Sequence, residues 1–128
     1  MSRTTLAKAV VGIVTYSSQT KSPMVVTYTF DLTDFRDPMG SKELMNKCKD
    51  GQDVRVREWI KVDPRMSVIM SEIVHLVKDR VDHGGGKWIT FGFRDHHGRW
   101  KSRAVGEIVA ETLSELGYEV GIVHAGEE

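Results

Sequence analysis

Apolar positions recur along this chain in two rhythms, one of strands and one of helices. Residues 7–16 (AKAVVGIVTY) are β-branched and predict a first strand, and residues 17–23 are polar and turn-like. Residues 24–32 (MVVTYTFDL) predict a second strand. A short helix follows at 41–49, with Ser41 as N-cap and Gly51 as its stop. Residues 53–61 fit a short helix or an irregular strand, and Asp53 in a capping position favours the helix. Asp63-Pro64 opens the longest helix, whose face is Met66, Ile69, Met70, Ile73, Leu76, Val77 and Val81. After the break at Gly84-Gly85-Gly86, Trp88–Phe93 reads as a strand. A helix is predicted over 101–116, with Val105, Ile108, Val109, Thr112, Leu113 and Leu116 at helical spacing and Gly117 as its end. Residues 118–124 predict the last strand.

The order is therefore β-β-α-α-α-β-α-β. The closing strand–helix–strand unit requires a parallel, right-handed crossover. The expected fold is α/β, a mixed, partly parallel sheet of about four strands with helices packed on it, in one domain over 1–128. Ligands of such folds sit outside the carboxyl ends of the strands. That rule brings His124 beside the loop after Phe93. Asp31 and Asp37 join them if the second strand runs the same way.

The loop is the chemically dense stretch. Arg94, Arg99, Lys101 and Arg103 are cationic, His96 and His97 adjoin them, and Asp95 is the lone carboxylate. A strand, a cationic loop and a helix N-terminus form a candidate anion site, because the first helical N–H groups lack intrahelical partners. Basic residues in a first helical turn cost a few tenths of a kcal/mol each, roughly, and a bound anion would offset them. The sequence is no P-loop, since G-x-x-x-x-G-K-[ST] is absent. Asp31, Asp34 and Asp37 recur every third residue and could serve as metal ligands or general bases, but turn formation weighs more. His75 and His83 have no partner at metal spacing.

Composition narrows the classes. Hydrophobic residues are 40% and charged residues 28%, as in an ordinary globular chain. Formal net charge is zero, so any nucleic-acid contact must come from a local patch. No apolar run approaches a membrane span and no signal peptide is read, so no membrane partner is expected. Cys48 is the only cysteine, which excludes an internal disulfide and fits a reducing cytoplasm. Its lysine neighbours could lower its pKa, though packing is the commoner role of such a residue.

An ordered set of short motifs carries a resemblance. Phe30-Asp31-Leu32 with Asp37-Pro38 resembles a strand ending F-D-V followed by N-P. Gly51-x-Asp53-x-x-Val56-x-x-Trp59-Ile60 resembles G-x-D-x-x-V-x-x-Y-L. Gly98-Arg99-Trp100-Lys101-Ser102 resembles a G-K-H-R-S loop, Glu107 matches a helical glutamate, and His124 resembles the histidine of a final H-R. Together they are similar to the RapZ C-terminal domain, over roughly residues 11–124.

The resemblance implies a non-catalytic sensor and adapter. It would bind small RNAs and glucosamine-6-phosphate, present RNA to an endoribonuclease and self-associate. The phosphate role would fall on Gly98, Arg99, Lys101 and Ser102, with His124 and Asp31 in the pocket. The loop departs from the family's G-C-T-G-G-K-H-R-S: it is two residues longer, Phe93 replaces the cysteine, and Lys101 replaces the arginine. The full-length family carries an N-terminal kinase-like domain, to which nothing in these 128 residues corresponds. The ending Glu127-Glu128 replaces a basic tail, which weighs against RNA.

Three functions follow from these readings. The first is a regulatory domain binding a phosphorylated small molecule or RNA. Its phosphate contacts would be Arg94, His97, Gly98, Arg99, Lys101, Ser102 and Arg103. Asp31, Asp37 and His124 would line the pocket, and Trp100 and His96 would stack on bases. No metal, cofactor or catalytic residue is expected under it. The second is a phosphohydrolase or nuclease using His96, His97 or His124 with Asp31, Asp34 or Asp37. The third is a docking or oligomerisation module, with an RNase or host enzyme as protein partner and a homo-oligomer as its form.

Overall fold

The protein was analysed as a computed structural model, which describes residues 10–35, 42–83 and 88–126. The described elements are strands β1 (Val10–Ser17) and β2 (Tyr28–Asp31), helices α1 (Lys42–Lys47), α2 (Val54–Lys61) and α3 (Pro64–Asp82), strand β3 (Trp88–Asp95), helix α4 (Lys101–Glu115) and strand β4 (Glu119–His124). This is the predicted order. The sheet runs β2-β3-β1-β4, and every pairing in it is parallel. All four strands therefore end on one side of the sheet, but Asp31 closes β2 and His124 closes β4, the two outer strands, with β3 and β1 between them.

Several boundaries differ from expectation. β2 is shorter than predicted, because Met24–Thr27 bends before joining the sheet and is tied to it at Thr27, whose N–H donates to Thr90 O (2.8 Å) and whose Oγ1 accepts from the Thr90 N–H (3.0 Å). β3 continues two residues further, through Arg94 and Asp95, in register with Tyr16 and Ser17 of β1. The predicted cap Ser41 and the pocket residue Asp37 lie outside the described residues, as do Gly84–Gly86. Asp53 and Asp63 do cap α2 and α3, each accepting from the N–H two residues on at 2.9 Å, with Pro64 in the first turn.

One sheet face carries the core. Val11 and Ile13 stand level with Ile89 and Phe91, Thr15 stands beside Phe93, and all six are essentially inaccessible. Leu32, Ile60, Ile73, Val77 and Leu113 complete the core from the loops and helices. Helix α4 lies on this face: a Cβ on Gly106 would come within 2.6 Å of Thr15 Cγ2 and 3.3 Å of Ile122 Cδ1. The first two turns of α4 are buried on nearly every side, from Ser102 to Gly106, whereas Leu116 is half exposed and falls outside the predicted apolar stripe. On the other face, Val26 and Tyr16 close over Gly92.

Candidate functional site at the carboxyl ends of the strands

The N-terminus of α4 is already satisfied from within the chain. Asp95, 3% exposed, ends β3 and turns its carboxylate back beneath the helix. Its Oδ2 accepts from the N–H of Lys101 (3.0 Å) and of Ser102 (3.4 Å), and its Oδ1 accepts from Ser102 Oγ (3.2 Å) and from the Gly98 N–H. The residue in N-cap position, Trp100, makes no side-chain cap hydrogen bond. Asp95 thus supplies the negative charge that a first turn containing Lys101 and Arg103 requires. The expectation of open helical N–H groups is corrected: those of Lys101 and Ser102 are occupied. Sequence reasoning gave Asp95 no role. The signal was there, as a single carboxylate ahead of a helix that lacks Ser, Thr, Asp or Asn at its N-cap.

The loop between Asp95 and α4 is held tightly. Gly98 has φ +67°, and a Cβ there would lie 2.4 Å from Ser17 N, so only glycine fits both the backbone and the space. Gly51 N–H donates to Arg99 O (2.9 Å), and Arg99 Nε donates back to Lys49 O (2.8 Å). A Cβ on Gly51 would fall 2.0 Å from Trp100 O, so the α1–α2 turn is pressed directly onto the start of α4. Trp100 is 7% exposed and belongs to the core, with the Arg99 guanidinium 5.5 Å above its ring. This corrects the expectation of a ring available for base stacking.

The loop cations separate into two groups. Arg94 pairs with Asp31 at 3.5 Å, and Lys101 Nζ donates to Thr33 O at 2.9 Å, both on the β2 side. Asp31 shapes a turn there by accepting from Thr33 N–H (3.0 Å) and its hydroxyl, and these bonds, with Arg94, hold its carboxyl below the usual carboxylate range. The turn-forming reading of Asp31 is the one that the geometry fits. Arg99 and Arg103 face the other way, into a cleft of about 310 Å³ lined by Lys49, Asp50, Arg99, Arg103 and Gly126. Arg103 donates from one terminal nitrogen to Asp50 Oδ2 (2.8 Å) and from the other to Ala125 O (3.3 Å), while its buried Nε has no partner among the described residues. Burial raises the Asp50 pKa, but hydrogen bonds from the Gln52 N–H, Arg103 and the Gln52 amide outweigh that and hold it below the ordinary value.

His124 ends β4, two residues before Gly126 of this cleft. Its Nε2 meets Glu107 Oε2 at 2.7 Å and its Nδ1 meets Thr15 Oγ1 at 2.6 Å. The carboxylate can only accept, so Nε2 carries a proton. In the neutral ring, Nδ1 then takes the Thr15 hydroxyl hydrogen. A hydroxyl–imidazole–carboxylate row of this kind can activate a nucleophile. Here Thr15 is wholly buried between α4 and the sheet, so no substrate reaches it. His124 and Glu107 instead fasten β4 to α4. His96 and His97 are exposed, with ring centroids 4.5 Å apart, and Gln19 Nε2 lies 3.2 Å from His96 Nε2. Cys48 is buried, and burial raises its pKa, so it has none of the thiolate character of a nucleophile. Among the described residues, no group of three or more His, Cys, Asp or Glu is placed to hold a metal ion, and no helix is long and apolar enough to cross a membrane.

A nucleotide-binding protein of Cereibacter sphaeroides (strain ATCC 17025 / ATH 2.4.3) is 27% identical over 118 residues, covering 89% of this chain and 38% of the relative. A nucleotide-binding protein of Jannaschia sp. (strain CCS1) is 26% identical over 117 residues, covering 89% of this chain and 36% of the relative. The chain therefore spans little more than a third of the length of these relatives. The family model of the RapZ C-terminal domain matches residues 9–127, nearly the whole chain. This chain belongs to the RapZ C-terminal domain family.

Proposed function

We propose that this domain is a non-catalytic binding module for a phosphorylated ligand, of the nucleotide or phosphosugar kind, at the carboxyl ends of its strands. The observation that carries the reading is the surplus of cationic side chains there. Arg99 and Arg103 open to one cleft with Lys49, against the single carboxylate of Asp50. Cations gathered around a concave surface concentrate anionic ligands. Two relatives that cover 89% of the chain carry the name nucleotide-binding protein, which supports the same class. The buried hydroxyl of Thr15 and the raised pKa of Cys48 favour binding over chemistry.

A thermal-shift titration with AMP, ATP, glucosamine-6-phosphate and a short RNA tests it. A ligand at about a hundred times its dissociation constant stabilises by roughly 2.7 kcal/mol, or several degrees for a domain of this size. The expected result is a saturable shift with a phosphorylated small molecule that disappears in Arg99→Ala. No shift with any of the four overturns the reading. A shift with RNA alone that vanishes at high salt would replace the small molecule by a nucleic-acid backbone.

A further inference from the structure

The motif that resembles a phosphate loop divides into a part that is closed and a part that is open. Gly98, Lys101 and Ser102 give their N–H groups, and Ser102 its hydroxyl, to the Asp95 carboxylate, which is buried beneath them. A phosphate placed on those donors would have to displace a carboxylate of the same sign from a site that water barely enters. The Lys101 ammonium is also directed away, to Thr33 O.

The lateral cleft has the opposite character. It is built by three elements: the α1–α2 turn with Lys49 and Asp50, the start of α4 with Arg99 and Arg103, and the exit of β4 with Gly126. Lys49 and Arg99 are exposed, and Arg99 is held beside the turn through its Nε bond to Lys49 O. Arg103 is 8% exposed and is fixed by Asp50 and Ala125 O. Among the described residues that line the cleft, three cations face one carboxylate, a surplus of positive charge suited to a phosphate. A charged, pre-oriented guanidinium is well suited to bind phosphate.

We infer that a terminal phosphate group is seated in this lateral cleft by Lys49, Arg99 and Arg103, and that Asp95 closes the N-terminus of α4 to it. The inference rests on the phosphate-binding reading above and assigns the site. Lys49 and Asp50 stand outside the loop motif altogether. Asp50 orients Arg103 and takes up part of its charge, which disfavours ligands that bring more negative charge than one phosphate.

The test is NMR of the full chain, following backbone amides and arginine Nε–H signals during titration with inorganic phosphate, AMP and glucose 6-phosphate. The Arg99 and Arg103 side-chain signals are expected to move and saturate together, while the amides of Gly98, Lys101 and Ser102 stay in place. Lys49→Gln, a change at an exposed side chain, is expected to weaken binding at least tenfold. Lys101→Gln should leave the dissociation constant within twofold. Movement of the Gly98, Lys101 and Ser102 amides, or weakening by Lys101→Gln but not by Lys49→Gln, overturns the inference and leaves the phosphate reading standing. Absence of binding by all three probes removes the phosphate reading itself and the inference with it. In a further titration with ATP, binding at least tenfold tighter than that of AMP would overturn the preference for a single phosphate.

Discussion

Two neighbouring regions at one end of this sheet handle charge in opposite ways. At the start of α4, positive helix polarity and cationic side chains meet an internal anion, Asp95, whose bonds to three backbone N–H groups and one hydroxyl close the site. In the cleft beside it, among the described residues, Lys49, Arg99 and Arg103 face one carboxylate, Asp50. The same ten residues of sequence feed both regions. A phosphate-loop resemblance therefore locates the neighbourhood of a site, while the partners of each donor decide which atoms are free to bind. A carboxylate built into the fold does permanently for α4 what a ligand would do transiently.

The largest way to break this contrast is Asp95→Ala. It strands several buried donors at once, and each unsatisfied group costs about 1–3 kcal/mol, so a loss on the order of 4 kcal/mol is expected in urea unfolding. A loss below about 1 kcal/mol would mean that the carboxylate does not hold the helix start. Asp95→Asn retains one acceptor oxygen and should fall between that variant and the parent.

Arg103→Met comes next. It leaves the Asp50 carboxylate, 6% exposed, without its ion-pair partner, and breaking a buried pair costs about 3–5 kcal/mol. The effect depends on pH in a definite direction. The folded-state pKa of Asp50 is depressed, so its contribution is present above the ordinary aspartate value and lost as pH falls through the folded value. Removing Arg103 removes its share of that contribution, while the Gln52 bonds remain. The stability gap between parent and variant should therefore be full at neutral pH and narrow under acid, below about pH 4. A gap constant across that range would show that Asp50 was not stabilised by Arg103.

The smallest effect sharpens the comparison from the other side. Among the described residues the Lys101 side chain makes one exposed bond, to Thr33 O, so Lys101→Gln should change stability by less than about 0.5 kcal/mol. Denaturation midpoints of Lys101→Gln and the parent should nearly coincide. A loss of 2 kcal/mol would assign Lys101 to the structural network around Asp95.

Much of this protein was determined locally, and the sequence shows it. The β-branched run ending at Tyr16, the caps Asp53 and Asp63 with Pro64, and the helical face from Met66 to Val81 act within a few residues of themselves. Their reading therefore needed no knowledge of the rest of the chain. The right-handed crossover rule then fixed the parallel direction of β3 and β4, and with it the edge where Arg99, Arg103 and His124 gather. Only the tertiary structure decided what those residues do. Arg103 meets Asp50 across 53 positions of sequence and His124 meets Thr15 across 109, separations that no periodicity encodes. Trp100 is buried because the α1–α2 turn packs through Gly51 onto the start of α4, and that same contact brings Lys49 into the cleft. Periodicity and capping are short-range and readable along the chain; the partner of a charged side chain is set by packing between distant segments.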